Sequence, residues 1–260
     1  MIVKREGEGW SLIAQVDHGA HTGEIARAWR EGPFGPDAVS DSLLLAAAQH
    51  DRGWREWDLA PATDLAGGPL NFTRIDEATH TAFYSGAVQA IAGEDVGAAY
   101  LVSLHASGLY GRRFGWSGLK PVDWTAVGEE GGRLLERERG VRRDLAARMP
   151  PAELEFESAW RSYMLLETFD FLSLLTCFEV DAGGCGPVPA EPGRWGTLTI
   201  RHDGPWEKAV DPFPFGGSEL RVTVPRRHLE QADFRDAQEL RAALEAAPRL
   251  QQETVYRAVR

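Results

Sequence analysis

Asp41-Ser-Leu-Leu-Leu-Ala-Ala-Ala-Gln-His50-Asp51-Arg52-Gly53-Trp54 is the stretch on which the fold turns. Ser40 or Asp41 can cap its start, and Leu43, Ala47, His50 and Trp54 recur at helical spacing. That stripe predicts a helix whose apolar face carries His50 into the core. Asp51, one step round, reaches the same interior. An imidazole and a carboxylate brought together inside a protein need a partner, because an uncompensated buried charge is costly.

Working outward, Asp17 reads as the cap of a helix from His18 to about Arg30, broken by Gly-Pro-Phe-Gly-Pro at 32–36. Asp76 reads as the cap of a third helix with the stripe His80, Phe83, Tyr84, Ala87 and Ile91. Asp95 opens a fourth, with Ala98, Leu101, Val102, His105 and Leu109. In both, a histidine takes a slot that an apolar residue would fill. The mixed-charge run at 129–148 reads as a solvated helix. A long helix from about 152 to 178 then sets Asp170 in the stripe of Trp160, Tyr163, Leu166, Leu174 and Cys177. An unpaired carboxylate there would cost several kcal/mol, and a metal ion is its natural partner.

In chain order these residues run His18, His50-Asp51, His80, His105, Asp170. That is a ligand set for two divalent transition-metal ions (iron, manganese, nickel or zinc), with Asp51 able to bridge them. A lone histidine on an apolar face is more often a hydrogen-bonded core residue. Here five of the seven histidines fall within the first 105 residues, at helix-length intervals, and the shared pattern carries the weight. His21, one turn beyond His18, is the alternative first ligand, or else a support for the ligands or a substrate contact.

Residues 1–16 read as a short strand or hairpin. Segment 59–75, rich in Pro, Gly, Asn and Thr, is either a gate over the site or a passive connector. After a Gly/Pro-rich linker at 182–196, the segments 197–201, 206–210, 220–224 and 254–259 have the texture of strands, with a short helix at 236–246. The expected fold class is therefore mainly α, a helical bundle with a small β-rich C-terminal annex. Residues 1–181 would form the metal-binding domain. Residues 182–260 would form the annex, packed on it and pairing with the N-terminal strand.

The chain has 260 residues, 43% hydrophobic and 26% charged, with a net charge of −11. That surplus argues against binding a nucleic-acid backbone, which calls for a basic surface. The N-terminus has early charges and no apolar signal core, and the longest apolar runs are too short to span a bilayer. The two cysteines, Cys177 and Cys185, read as reduced thiols. The expectation is a cytoplasmic protein with a small-molecule substrate and neither a nucleic-acid nor a membrane partner.

The series His18, His50-Asp51, His80, His105, Asp170 resembles the two-metal members of the HD-domain superfamily over residues 10–178. That resemblance implies an HD-like helical bundle in which the His-Asp dipeptide bridges two metals. The whole chain also resembles a bacterial family described only as a domain of unknown function. The motifs that carry this likeness are Gln15-Val-Asp-His18, His50-Asp-Arg-Gly-Trp54, Ser103-Leu-His-Ala-Ser-Gly-Leu-Tyr110 and Phe169-Asp-Phe-Leu-Ser-Leu174. HD proteins divide between phosphohydrolases and mixed-valent di-iron oxygenases of the myo-inositol oxygenase type. His18-Gly-Ala-His-Thr-Gly-Glu24 resembles the first-ligand helix of the oxygenases. Trp54 stands in the dipeptide's tail, where many members of both groups carry a basic residue or a histidine. The leading expectation is a metal-dependent hydrolase of a small-molecule phosphoester, with His50 and Asp51 as its catalytic pair. His21, Arg52, Trp54 and Arg112 are the expected substrate contacts. The alternatives are a di-iron oxygenase and a non-catalytic metal- or ligand-binding protein.

Overall fold

Ser40, Asp76 and Asp95 each turn a side-chain oxygen onto a backbone N–H three residues on, and so fix where three helices begin. The computed structural model describes residues 1–29, 39–118, 127–154, 156–180, 183–191 and 194–259. The helix break expected at 32–36 and the domain boundary expected at 181/182 lie outside the described residues.

The chain opens with a hairpin, β1 (Ile2–Glu6) and β2 (Gly9–Ile13), and enters α1 (Gln15–Ala28) and α2 (Asp41–Gln49). A 3-10 turn at Arg52–Trp54 leads to the short α3 (Arg55–Leu59), then α4 (Glu77–Ala92) and α5 (Val96–Tyr110). The charged α6 (Glu129–Ala146) and the single turn α7 (Pro151–Leu154) precede the long α8 (Phe156–Phe178). The C-terminal part holds β3 (Gly184–Glu191), β4 (Arg194–Gly204), β5 (Glu207–Asp211), β6 (Glu219–Leu229), α9 (Ala237–Ala246) and β7 (Leu250–Ala258).

The described strands form one mixed, curled half-barrel sheet of seven strands in the order β1-β2-β6-β7-β5-β4-β3. The expected fold class, a mainly α HD-like bundle with a small β annex, is therefore corrected. About 52% of the described residues are helical and 25% extended. The physical reason lies in one long-range pairing and one shared core. The N-terminal β2 pairs antiparallel with β6, Trp10 opposite Leu229, and so makes the hairpin part of the C-terminal sheet. Much of the sheet also shares its core with the helices. Cys185, Val188, Leu198, Ile200, Val210 and Tyr256 pack in one cluster with Ile25, Ala47, Val102, Phe169 and Leu172 of the helices.

Segment 59–75 is tied to the hairpin and to the chain beyond β6. Asn71 Nδ2 donates to Val3 O (2.8 Å), the Phe72 amide to Met1 O (3.0 Å) and the Phe234 amide to Gly67 O (2.8 Å). No described helix is long and apolar enough to cross a membrane.

Candidate metal centre

Helix α1 lies on α2 because glycines face the contact. A Cβ at Gly19 would meet Ala48 O at 3.1 Å, and one at Gly23 would meet the Ala48 Cβ at 2.7 Å. This close approach brings the His18 ring to 5.5 Å from that of His50, edge to face. Helix α8 crosses behind them and contributes Asp170, and α5 contributes His105, whose ring is 5.1 Å from His50. His18, His50, Asp51, His105 and Asp170 are each at most 3% exposed.

His18 Nε2 is 2.9 Å from Asp170 Oδ1 and 3.9 Å from Asp51 Oδ2. His50 Nε2 is 3.4 Å from Asp51 Oδ2 and 3.6 Å from Asp170 Oδ1. Among the described residues two overlapping groups could hold a metal ion: His18, His50 and Asp51, and His50, His105 and Asp170. Within each group the candidate ligand atoms lie within 4.8 Å of one another. Five of the six sequence-predicted ligands are thus brought together. His80 is buried beside them but belongs to neither group. Its Nδ1 is 2.6 Å from Tyr110 Oη, and its ring meets Tyr84 and Trp54 at 5.0 and 5.7 Å between centroids.

The far sides of the rings are held as metal-binding histidines require. His50 Nδ1 donates to Ala47 O (3.0 Å) and His105 Nδ1 to Glu167 Oε1 (2.6 Å), so in each ring Nε2 is the nitrogen left to serve as a metal ligand once no proton occupies it. Glu167 in turn accepts from Arg113 Nη1 at 2.6 Å, and Arg113 is 3.5 Å from Asp170 Oδ2. Asp51 is oriented by Tyr84 Oη (3.2 Å) and Gln15 Nε2 (3.4 Å), both donating to it. Arg113 reaches inward because Arg112, Arg113 and Phe114 adopt left-handed backbone, φ of 52°, 47° and 47°. Such non-glycine residues cost of order 1–3 kcal/mol each, a strain common at functional sites.

Three buried carboxylates, Asp51, Asp170 and Glu167, face one buried guanidinium, Arg113. Counted with the histidines neutral, as metal ligation requires, the cluster carries two surplus negative charges, which a divalent cation offsets and which a proton on His50 offsets in part when no ion is bound. The same field acts on the titrating groups. Burial lowers the His50 pKa, but Asp51 and Asp170 more than offset it and hold the pKa well above the ordinary histidine value. Burial raises the Asp170 carboxyl, yet bonds from His18 and His50 and the charges of His50 and Arg113 keep it well below its usual value. Asp51 is lowered in the same way by His50, against burial. The donor set, the anchored Nδ1 atoms and the surplus charge all fit a divalent metal.

The remaining sequence candidates fall differently. His21 is buried one turn from His18 but faces Ser173 and Thr254 rather than the carboxylates. Burial, with a smaller contribution from His18, lowers its pKa to about 3. Trp54 is fully buried and packs on His80, Phe83 and Phe72. Arg52 is turned away, paired with Glu94 and Gln49. Arg112 is exposed, and its neighbour Arg113 is the arginine that meets the centre. Glu167, which the sequence reading passed over, holds His105.

Fold and site together define a mixed α/β protein with buried histidine–aspartate groups that could hold a metal ion. The chain belongs to the family described as Protein of unknown function (DUF3891), whose profile matches residues 1–231. No curated protein and no solved structure matches it.

Proposed function

We propose that the chain is a metal-dependent hydrolase of the HD type, acting on a small-molecule phosphoester through a dinuclear centre. The observation that carries this reading is the buried meeting of His18, His50-Asp51, His105 and Asp170, with three buried carboxylates to one guanidinium. Each imidazole nitrogen serves one ion, so His50 belongs to a single ion. Asp51 and Asp170, with two oxygens each, are the groups able to span two. His18, His50, Asp51 and Asp170 would hold the first ion. His105 would hold the second, and His80 is the nearest further histidine to it. Bound divalent ions would supply Lewis acidity toward a phosphoryl group and lower the pKa of water. The chain's own part is to fix the ligands: Glu167 holds His105, Ala47 O holds His50, and Tyr84 with Gln15 holds Asp51.

The test is turnover of a panel of phosphomonoesters and nucleotides by protein loaded with manganese, nickel, zinc or iron. Metal-dependent phosphate release, lost in Asp51→Asn, supports the proposal. Iron near two per chain, with a redox-active spectrum and oxygen uptake, overturns it in favour of an HD-type mixed-valent oxygenase. Bound metal without turnover of either kind overturns it in favour of a non-catalytic metal-binding protein.

A further inference from the structure

The three histidines that turn Nε2 to the centre differ in what holds Nδ1. His50 meets a carbonyl and His105 a carboxylate. Neither acceptor can donate, so both rings keep their proton on Nδ1. His18 Nδ1 meets Ser173 Oγ at 2.8 Å, and a hydroxyl can donate or accept. The tautomer of His18 therefore depends on what else Ser173 binds.

Ser173 Oγ is also 2.7 Å from His21 Nδ1, and His21 Nε2 is 2.9 Å from Thr254 Oγ1 on β7. Thr254 gives its hydroxyl hydrogen to Val222 O on β6 at 3.1 Å. With that hydrogen committed, Thr254 accepts from His21, and the His21 proton sits on Nε2. The ring nitrogens of His21 face hydroxyls rather than carboxylates, and the ring is sealed from solvent, so it is neutral with a bare Nδ1. Ser173 donates to that nitrogen and keeps only lone pairs for His18. His18 then carries its proton on Nδ1; its Nε2, which without an ion donates to Asp170 Oδ1 at 2.9 Å, becomes the ligand atom when a metal takes the place of that proton. The reverse order would set a bare His21 Nε2 against the lone pairs of Thr254 at 2.9 Å.

We infer that His21 is a positioning residue: through Ser173, and with its own proton placed by Thr254, it fixes the metal-binding tautomer of His18. This rests on the reading that the cluster holds a metal. It also gives the sheet a role in the centre, since the last link belongs to β6 and β7.

Long-range proton–nitrogen NMR of the histidine rings tests it on the wild-type chain, metal-free and zinc-loaded. The expected pattern is His21 protonated at Nε2 alone in both states. In the zinc-loaded protein His18 should be protonated at Nδ1 alone. Ser173→Ala should weaken zinc binding by about 10- to 100-fold, the usual effect of removing a partner that orients a ligand. Thr254→Val, which keeps the β-branched shape, should let His21 populate both tautomers. His21 protonated at Nδ1 in zinc-loaded wild type overturns the relay alone, as does an unchanged His18 tautomer with unchanged zinc affinity in Ser173→Ala. Failure of the wild type to take up zinc overturns the metal reading, and the relay's role with it.

Discussion

Asp170 sits between Phe169 and Phe171 and still reaches His18, His50 and Arg113. Its substitution by Asn keeps the shape and removes one of the charges that a cation neutralises. We expect Asp170→Asn to lower metal affinity at least about tenfold and to abolish the rise in melting temperature on metal addition, because metal binding contributes to the folded state. Unchanged metal content in that variant would remove Asp170 from the centre. A second prediction concerns His21. Its folded pKa of about 3 lies below the ordinary value of 6.5, so between the two the unfolded chain binds the extra proton. The contribution of neutral His21 is complete above pH 6.5 and is lost as pH falls toward 3, at up to about 1.4 kcal/mol per pH unit. In urea unfolding of metal-free protein, the stability difference between wild type and His21→Gln should shift against the wild type by that slope below pH 6.5. A pH-independent difference would mean that His21 is not held neutral. At this scale His50, His80, His105 and Asp170 were legible because each interrupts an apolar stripe, and His18 from its place in the series. Glu167 was not, since a glutamate in a helix ordinarily faces water. Its one sequence signal is its place a single turn before Asp170, on the same face. Which of the adjacent Arg112 and Arg113 points inward was not legible, because no helical phase exists in a left-handed turn.

The contact between α1 and α2 sets the distance between His18 and His50. Gly23→Ala should gain helix propensity, up to about 1 kcal/mol, yet its Cβ would stand 2.7 Å from the Ala48 Cβ and 3.0 Å from its Cα. Overpacking of that kind costs about 1–3 kcal/mol, so we expect net destabilisation together with weaker metal binding. Gly86→Ala in α4, where the new Cβ has nothing within 4 Å, should instead stabilise the chain. Chemical denaturation of the two variants checks the contrast, and a stable Gly23→Ala with normal metal affinity would show that the contact can open without cost. The helices themselves could be read from caps and stripes. Asp76 and Asp95 cap α4 and α5 as their positions indicate, whereas Asp17 proved to lie within the first turn of α1, behind Ala14. Strand β3 was missed because Gly184-Cys-Gly-Pro-Val-Pro-Ala-Glu191 has the composition of a linker. Prolines are tolerated there because β3 is the last strand of the sheet, with its pairing to β4 interrupted between Cys185 and Val188 and an isolated bridge from Gly186 to Ser117.

In the whole molecule the sheet was the least legible part. Four of its strands show locally and their pairing with the N-terminal strand was expected, but that β2 would join β6 and complete one seven-stranded sheet is a long-range register which no local pattern encodes. The shared core of helices and sheet, and the relay from Thr254 to His18, make the β layer part of what supports the centre. The central claim is that the histidine–aspartate cluster is a metal site, and anomalous diffraction from crystals grown with zinc tests it most directly. An anomalous peak about 2.0–2.3 Å from His18 Nε2, His50 Nε2 and the carboxylates of Asp51 and Asp170 is the predicted result, with a second peak beside His105 for the dinuclear form. Zinc found only on surface residues, with the cluster left as direct histidine–carboxylate hydrogen bonds at saturating metal, would contradict it.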